Sequence, residues 1–312
     1  MKTRLLILAL SIFTLSVFSQ GSDAPTLAEV TAVSTPGNDQ TPSYVFSSNE
    51  AGTITSSLGF SSTTAAVSGN NTITFNTLAA GIHTPTITVT DAAGNASAAL
   101  TATSFVIDVT APTLTEVTAV STPGNDQTPS YVFSSNEAGT ITSSLGFSST
   151  TSAVSGNNTI TFSTLASGTY TPTITVTDAA GNASTALTAP SFVIDVTAPT
   201  NQDIVFASAA STSGGGMVTI VSSGDATNNV WIAAAGTTAF IVNAATMTKA
   251  ATGTATSITV PTTAGTYYIY VLDAAGNASS QTTAALIVDT TLPEITLIGE
   301  AIIFLEVGTA YS

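Results

Sequence analysis

The chain has 312 residues, 43% of them hydrophobic but only 7% charged, with a formal net charge of −15, against roughly 25% charged residues in typical soluble domains. Its only bases are Lys2, Arg4 and Lys249, which excludes a phosphate-tracking nucleic-acid surface and attraction to an anionic membrane, since both need clustered Lys or Arg. With no cysteine in the sequence, disulfides, thiolate metal sites, a cysteine nucleophile and a lipidated cysteine are excluded together, leaving core packing or bound ions to hold small exported domains.

Residues 1–19 read as a secretory signal peptide. The basic start MKTR precedes the apolar run LLILALSIFTLSVF, and Val17-Phe18-Ser19 places small residues at −3 and −1, so cleavage is expected before Gln20. A short linker, 20–24, follows. Export and a secreted or cell-surface location are the expectation, with no membrane insertion after cleavage, because no later segment is apolar enough to span a bilayer.

An internal repeat then dominates the chain. Residues 25–111 recur at 112–198, an offset of 87, with eight differences: Ala28/Thr115, Ala65/Ser152, Asn76/Ser163, Ala80/Ser167, Ile82/Thr169, His83/Tyr170, Ala98/Thr185 and Thr103/Pro190. Such near-identity points to recent duplication. Within one copy Tyr44–Ser47, Thr53–Thr55, Thr72–Phe75, Thr86–Val89 and Phe105–Val109 are short β-branched or aromatic runs, most of them alternating apolar and polar, the pattern of strands with one face in a core. Residues 35–39, 49–52, 68–71 and 92–95 carry turn chemistry between them. No apolar period of 3.6 persists for three turns. Seven or so strands in 87 residues predict a two-sheet sandwich of the immunoglobulin class, without the Cys–Trp–Cys core of antibody domains.

Residues 199–292 predict a third, diverged module, with strands at Met217–Val221, Val230–Ile232, Phe240–Val242 and Tyr267–Leu272. Aligning Asp273 with Asp91 places Ile269 and Val271 over Ile87 and Val89, so one core face is kept while the other changes from Thr to Tyr. Gly214-Gly215-Gly216 is a permissive turn that lacks the Lys-Ser/Thr of a phosphate loop. Residues 293–312 read as the start of a fourth module, which makes the sequence a piece of something longer in this reading.

The motifs FSSNEAGTI (46–54), VTDAAGN (89–95 and 176–182) and DxTxP at each module end carry a resemblance to the bacterial immunoglobulin-like repeats of long secreted and cell-surface proteins, of a type frequent in the Bacteroidetes. PEITLIGEAIIFLEVGTAYS resembles the opening of another such domain. The resemblance covers nearly all of 25–312 and implies an all-β protein, a tandem array of Ig-like β-sandwiches in elongated form, acting as a non-catalytic adhesion or structural stalk. Surface glycans or proteins of a host or neighbouring cell are the implied partners. The alternative is an accessory spacer or carbohydrate-binding region of a secreted hydrolase whose catalytic domain lies further along.

Catalytic chemistry finds no support in the sequence. The single histidine, His83, is replaced by Tyr170 in the sister repeat and reads as an exposed loop residue, and the acids Glu29, Asp39, Glu50, Asp91 and Asp108 are scattered over turns and strand ends. Oxygen-bearing side chains at module ends do offer a place for Ca²⁺. The resemblance to calcium-stiffened arrays implies junction ligands at Asp91, Asn95 and Asp108, and at their counterparts Asp178, Asn182, Asp195, Asp273, Asn277 and Asp289. An Asx-capped turn with a strand-end Asp accounts for the same residues, and the oxygens visible in sequence fall short of a full Ca²⁺ shell. Three further patterns are open to the same double reading: Thr-x-Thr runs such as Thr86–Thr90, as a hydroxyl array or ordinary outward strand residues; the Asn-Ala-Ser sequons at Asn95, Asn182 and Asn277; and Trp231 with Tyr267, Tyr268 and Tyr270, as a carbohydrate platform.

Overall fold

The computed structural model describes residues 23–199, 206, 211–220, 227–250, 254–292, 294 and 296. The expected signal peptide and nearly all of the fourth module lie outside these residues. Among the described residues no helix is long and apolar enough to cross a membrane, and every regular element is a strand.

In the first repeat the strands are β1 (Leu27–Thr31), β2 (Ser43–Ser48), β3 (Gly52–Ser56), β4 (Ala65–Ala66), β5 (Gly69–Thr74), β6 (Gly81–His83), β7 (Thr86–Thr90), β8 (Leu100–Thr101) and β9 (Phe105–Ile107). β1-β2-β5 form one sheet, β4-β3-β7-β8 a second, and β6-β9 a two-stranded ribbon. Alternation builds the sandwich. β2 buries Tyr44 and Phe46 and β7 buries Ile87 and Val89, while Thr86, Thr88 and Thr90 lie on the outer side. Ile73, Phe75, Phe105 and Ile107 complete the centre, all at 1% exposure or less. Each such side chain contributes about 1.5–3 kcal/mol on leaving water, and the rings of Tyr44, Phe75 and Phe105 follow one another at 6.5 and 6.0 Å.

The second repeat repeats this with β10 (Leu114–Thr118), β11 (Ser130–Ser135), β12 (Gly139–Ser143), β13 (Ser152–Ala153), β14 (Gly156–Thr161), β15 (Gly168–Tyr170), β16 (Thr173–Thr177), β17 (Leu187–Thr188) and β18 (Phe192–Ile194). Its core, from Val120 to Ile194, is separate from that of the first. One difference between the copies alters bonding. Glu29 accepts hydrogen bonds from the Thr103 backbone N–H (2.8 Å), the Thr103 hydroxyl (2.7 Å) and the Tyr44 hydroxyl (3.0 Å). Pro190 replaces Thr103 and has neither donor, so the Tyr131 hydroxyl, at 3.1 Å, is the counterpart bond that Glu116 retains.

The strands expected from sequence are present in both repeats, with three departures. Residues 68–71 are not a turn: Gly69 to Asn71 already belong to β5, and the buried Asn71 amide bonds the backbone of Val67 on both sides. Residues 35–39 are more than a turn, because Gly37 pairs in parallel with Ile107 and accepts from the Asp108 N–H at 2.9 Å, fixing the end of the last strand. His83 is a half-buried strand residue, not an exposed loop residue. Its Nε2 lies 2.9 Å from the Ala79 carbonyl and its ring 5.6 Å from that of Phe105. The carbonyl can only accept, so Nε2 carries the proton. Tyr170 makes the equivalent bond to Ala166 at 2.9 Å and Tyr267 to Thr263 at 2.7 Å. This is the tyrosine-corner contact of Ig sandwiches, a ring tip tied to the backbone a few residues upstream, with His83 substituting in the first repeat.

The third module contains β19 (Ser211–Thr212), β20 (Met217–Thr219), β21 (Asn229–Ala234), β22 (Met247–Lys249), β23 (Ser257–Thr259), β24 (Gly265–Leu272) and β25 (Leu286–Val288). β19-β25-β24-β21-β22 form the main sheet, with β20-β23 apart. β24 is continuous, pairing through Gly265–Tyr267 with β25 and through Tyr267–Leu272 with β21. In the repeats the same path is broken by Thr84-Pro85, and the two halves join different sheets. Ile269 and Val271 are buried as the alignment expected. Residues 240–242, expected as a strand, form no strand: Phe240 packs its ring 5.5 Å from Trp231 and 5.3 Å from Tyr270, and the chain then turns through Asn243 at φ 66°.

Candidate functional site at the module junctions

The recurring segment DAAGNAS closes on itself through its own polar groups. At the end of β7, the Asp91 N–H donates to the Asn95 carbonyl, and the Gly94 N–H to that of Asp91. Closing so small a loop puts Gly94 at φ 94°, where a side chain would be strained. The Asp91 carboxylate then accepts on both oxygens, from the Asn95 N–H and from Asn95 Nδ2, each at 2.8 Å. The Asn95 side chain, followed by its backbone N–H and those of Ala93 and Gly94, holds the Asp91 carboxyl below its ordinary range, against a smaller opposing effect of burial. Ser97 folds back beneath the turn, its hydroxyl accepting from the Val89 N–H at 3.0 Å. The Ser of the apparent glycosylation sequon is therefore a buried strand cap.

In the second and third modules the same turn also reaches into the module before it. Asn182 donates from Nδ2 to Asp178 Oδ2 and, across the junction, to the carbonyl of Asp108, both at 2.9 Å. Asn277 donates to Asp273 Oδ2 at 2.9 Å and to the carbonyl of Asp195 at 2.8 Å. Both partners in each pair are acceptors only, so the chemistry fixes which amide atom is nitrogen. The tip of the turn lies beside the preceding module's 35–39 loop: a Cβ on Gly181 would come 3.4 Å from the Asn38 amide, and one on Gly276 3.6 Å from that of Asn125. Ala180 and Ala275, half-buried there, each line an open groove of about 440–470 Å³ with that loop, whereas Ala93 is exposed.

The nine residues expected as ion ligands are thus regrouped. Asp91 and Asn95 belong to one turn, as do Asp178 with Asn182 and Asp273 with Asn277, whereas Asp108 and Asp195 meet the turn of the following module. Asp108, Asp195 and Asp289 each also accept the N–H two residues on, from Thr110, Thr197 and Thr291 at 2.8–3.0 Å. At the first junction Asp108, Glu137 and Asp178 each bring a carboxylate oxygen within 4.8 Å of the others. Sequence reasoning did not single out Glu137. Burial raises the Asp178 carboxyl, but the Asn182 side chain and N–H, with the N–H groups of Gly181 and Ala180, outweigh it and leave it below the ordinary range. The three oxygens are half or less of the 6–8 that Ca²⁺ takes, and Asn182 turns its nitrogen, not its oxygen, towards the Asp108 carbonyl.

The aromatic residues of the third module are committed to packing. Trp231, Tyr267 and Tyr270 are 3–4% exposed, and the Tyr270 hydroxyl is bonded to the Ala234 carbonyl at 2.9 Å. They present no open platform on which a sugar ring could stack, and Tyr268 alone of the four is partly exposed.

Comparison with known proteins gives one family. The model for the bacterial Ig-like domain matches residues 28–109 and 115–196, just over half of the chain. No curated protein matches. Among solved structures, the fibronectin(III)-like modules of Clostridium thermocellum CbhA are 12% identical, over 55% of this chain and 94% of that one, at a TM-score of 0.34. The D00–D0 domain of intimin is 12% identical, over 55% and 99%, at 0.26, and the FN1–FN3 domains of chicken CNTN1 are 11% identical, over 85% and 98%, at 0.31.

Proposed function

The chain belongs to the bacterial Ig-like domain family, and from that premise we propose that it is a non-catalytic extracellular stalk that spaces a functional domain away from a cell surface. The supporting observation is the division of labour between core and junction. Each sandwich closes its own core, and at both junctions the DAAGN turn of one sandwich bonds the strand-end Asp carbonyl of the sandwich before it. In such an array reach grows with copy number, and prolines 112, 199 and 293 bias the residue before each towards extended conformations. The module division at 25–111, 112–198 and 199–292 is part of this reading, as are export by the N-terminal segment and recognition of glycan or protein by whatever the stalk carries.

Small-angle scattering tests it. A compact particle of this length would have a radius of gyration of about 19 Å, whereas three modules in line give about 30 Å or more. A value near 19 Å removes the stalk.

A second reading places Ca²⁺ at the first junction, and the observation favouring it is the approach of Asp108, Glu137 and Asp178 from two modules. Water would supply the remaining ligands. Binding there would tie the modules together and raise the melting temperature in millimolar Ca²⁺ relative to chelator. An unchanged value removes it.

A further inference from the structure

We infer that Asn182 and Asn277 are couplers that set the angle between successive modules, the turn carrying them acting as a plug for a socket formed by the preceding module's 35–39-type loop and strand end. Three observations converge. The bond from Asn Nδ2 to the strand-end Asp carbonyl occurs at both junctions, at 2.9 and 2.8 Å. The glycine at the tip of the plug approaches the equivalent socket asparagine in both, Asn38 and Asn125. The socket is itself tied to the last strand: Gly37 and Gly124 donate to Val106 and Val193 and accept from Asp108 and Asp195.

The chemistry explains why asparagine is used. One amide must satisfy a carboxylate in its own turn and a carbonyl in the neighbouring module, which takes two N–H donors on one short side chain. Aspartate has no donor at neutral pH and would face Asp178 as a like charge. The intra-turn bond holds the amide in place before the modules meet, so little side-chain freedom is lost on docking. The third module shares few other segments with the repeats, yet it carries the same DAAGN turn and makes the same bond.

This inference rests on the stalk reading, and the experiment separates the two. The chain has no cysteine, so Thr64→Cys and Thr151→Cys, both at exposed positions, take spin labels in the first and second modules of the full chain. Pulsed electron paramagnetic resonance then reads the inter-module distance distribution. The expected result is a single narrow distribution that Asn182→Ala broadens at least twofold, with unchanged far-ultraviolet circular dichroism and in chelator as well as in Ca²⁺. Should Asn182→Ala unfold the second module, a Gly-Gly-Ser insertion after Ala111 withdraws the plug while leaving its internal bonds intact, and the same broadening is expected. An unchanged width in either folded variant overturns the coupler. A compact scattering profile with a narrow distance distribution overturns the stalk and leaves the coupler standing.

Discussion

Replacing Glu29 by alanine and, separately, Glu116 by alanine compares two nearly identical modules at the place where their bonding differs. Glu29 loses three donors, two from Thr103 and one from Tyr44, whereas Glu116 loses the Tyr131 hydroxyl. The pair therefore isolates the two Thr103 bonds. At a half-exposed site each charge-assisted bond is worth about 0.5–1 kcal/mol after solvent screening, so Glu29→Ala is expected to cost the first module about 1–2 kcal/mol more than Glu116→Ala costs the second. Amide hydrogen exchange read by mass spectrometry resolves this, because peptides spanning Ala65/Ser152 and His83/Tyr170 distinguish the repeats. Core protection should fall about 5–30-fold further in the first module than in the second. The excess is also pH-dependent. The Thr103 N–H and hydroxyl, aided by the Tyr44 hydroxyl and opposed by burial, depress the Glu29 carboxyl below its ordinary value of 4.5. A depressed folded-state pKa gives stability that is present above the unfolded value and lost as pH falls through the folded one. Normalised to intrinsic exchange, the excess should shrink as pH falls below 4.5 and on through the lowered folded-state value. Equal losses in the two modules at pH 7, or an excess undiminished in acid, would refute the reasoning.

Other consequences follow from single contacts. Ser97→Ala leaves the buried Val89 N–H without its acceptor, at a cost of about 1–3 kcal/mol, seen as a lower urea midpoint with unchanged slope; no shift would mean that another acceptor takes over. Burial, with the Glu116 bond and charge, pushes the Tyr131 hydroxyl up from 10.0 to about 12, and Tyr44 is raised in the same direction. A raised folded-state pKa gives stability that is complete below the unfolded value and lost as pH rises through the folded one. Melting temperature should accordingly fall between pH 10 and 12, and Tyr131→Phe should flatten the second module's share of that fall.

The fold was largely legible because its causes are local. Alternation at Tyr44-Val45-Phe46 and Ile87-Thr88-Val89 decides which side of a strand faces the core, and Gly94 marks a backbone position that few other residues tolerate. Where the local signal misled, tertiary packing had overridden it. Phe240-Ile241-Val242 has the composition of a strand, but the ring of Phe240 packs against Trp231 and Tyr270 and the chain turns away at Asn243. His83 looked like an exposed loop residue because nothing in its neighbours announces that a ring there meets Phe105 and the Ala79 carbonyl.

By itself the sequence determined the all-β class, the 87-residue repeat and the DAAGN turn that each module carries. Each of these depends on side-chain chemistry within a few positions, or on self-similarity that needs no structure. Only the tertiary structure decided which residues meet. Asp91 finds its partner four residues away and so could be paired from sequence, but Asp108 meets Asn182 from 74 residues further on and in the next module, with Glu137 drawn in from a third segment. Partners so distant are chosen by how two finished modules dock, and the surfaces that dock exist only after each has closed its own core.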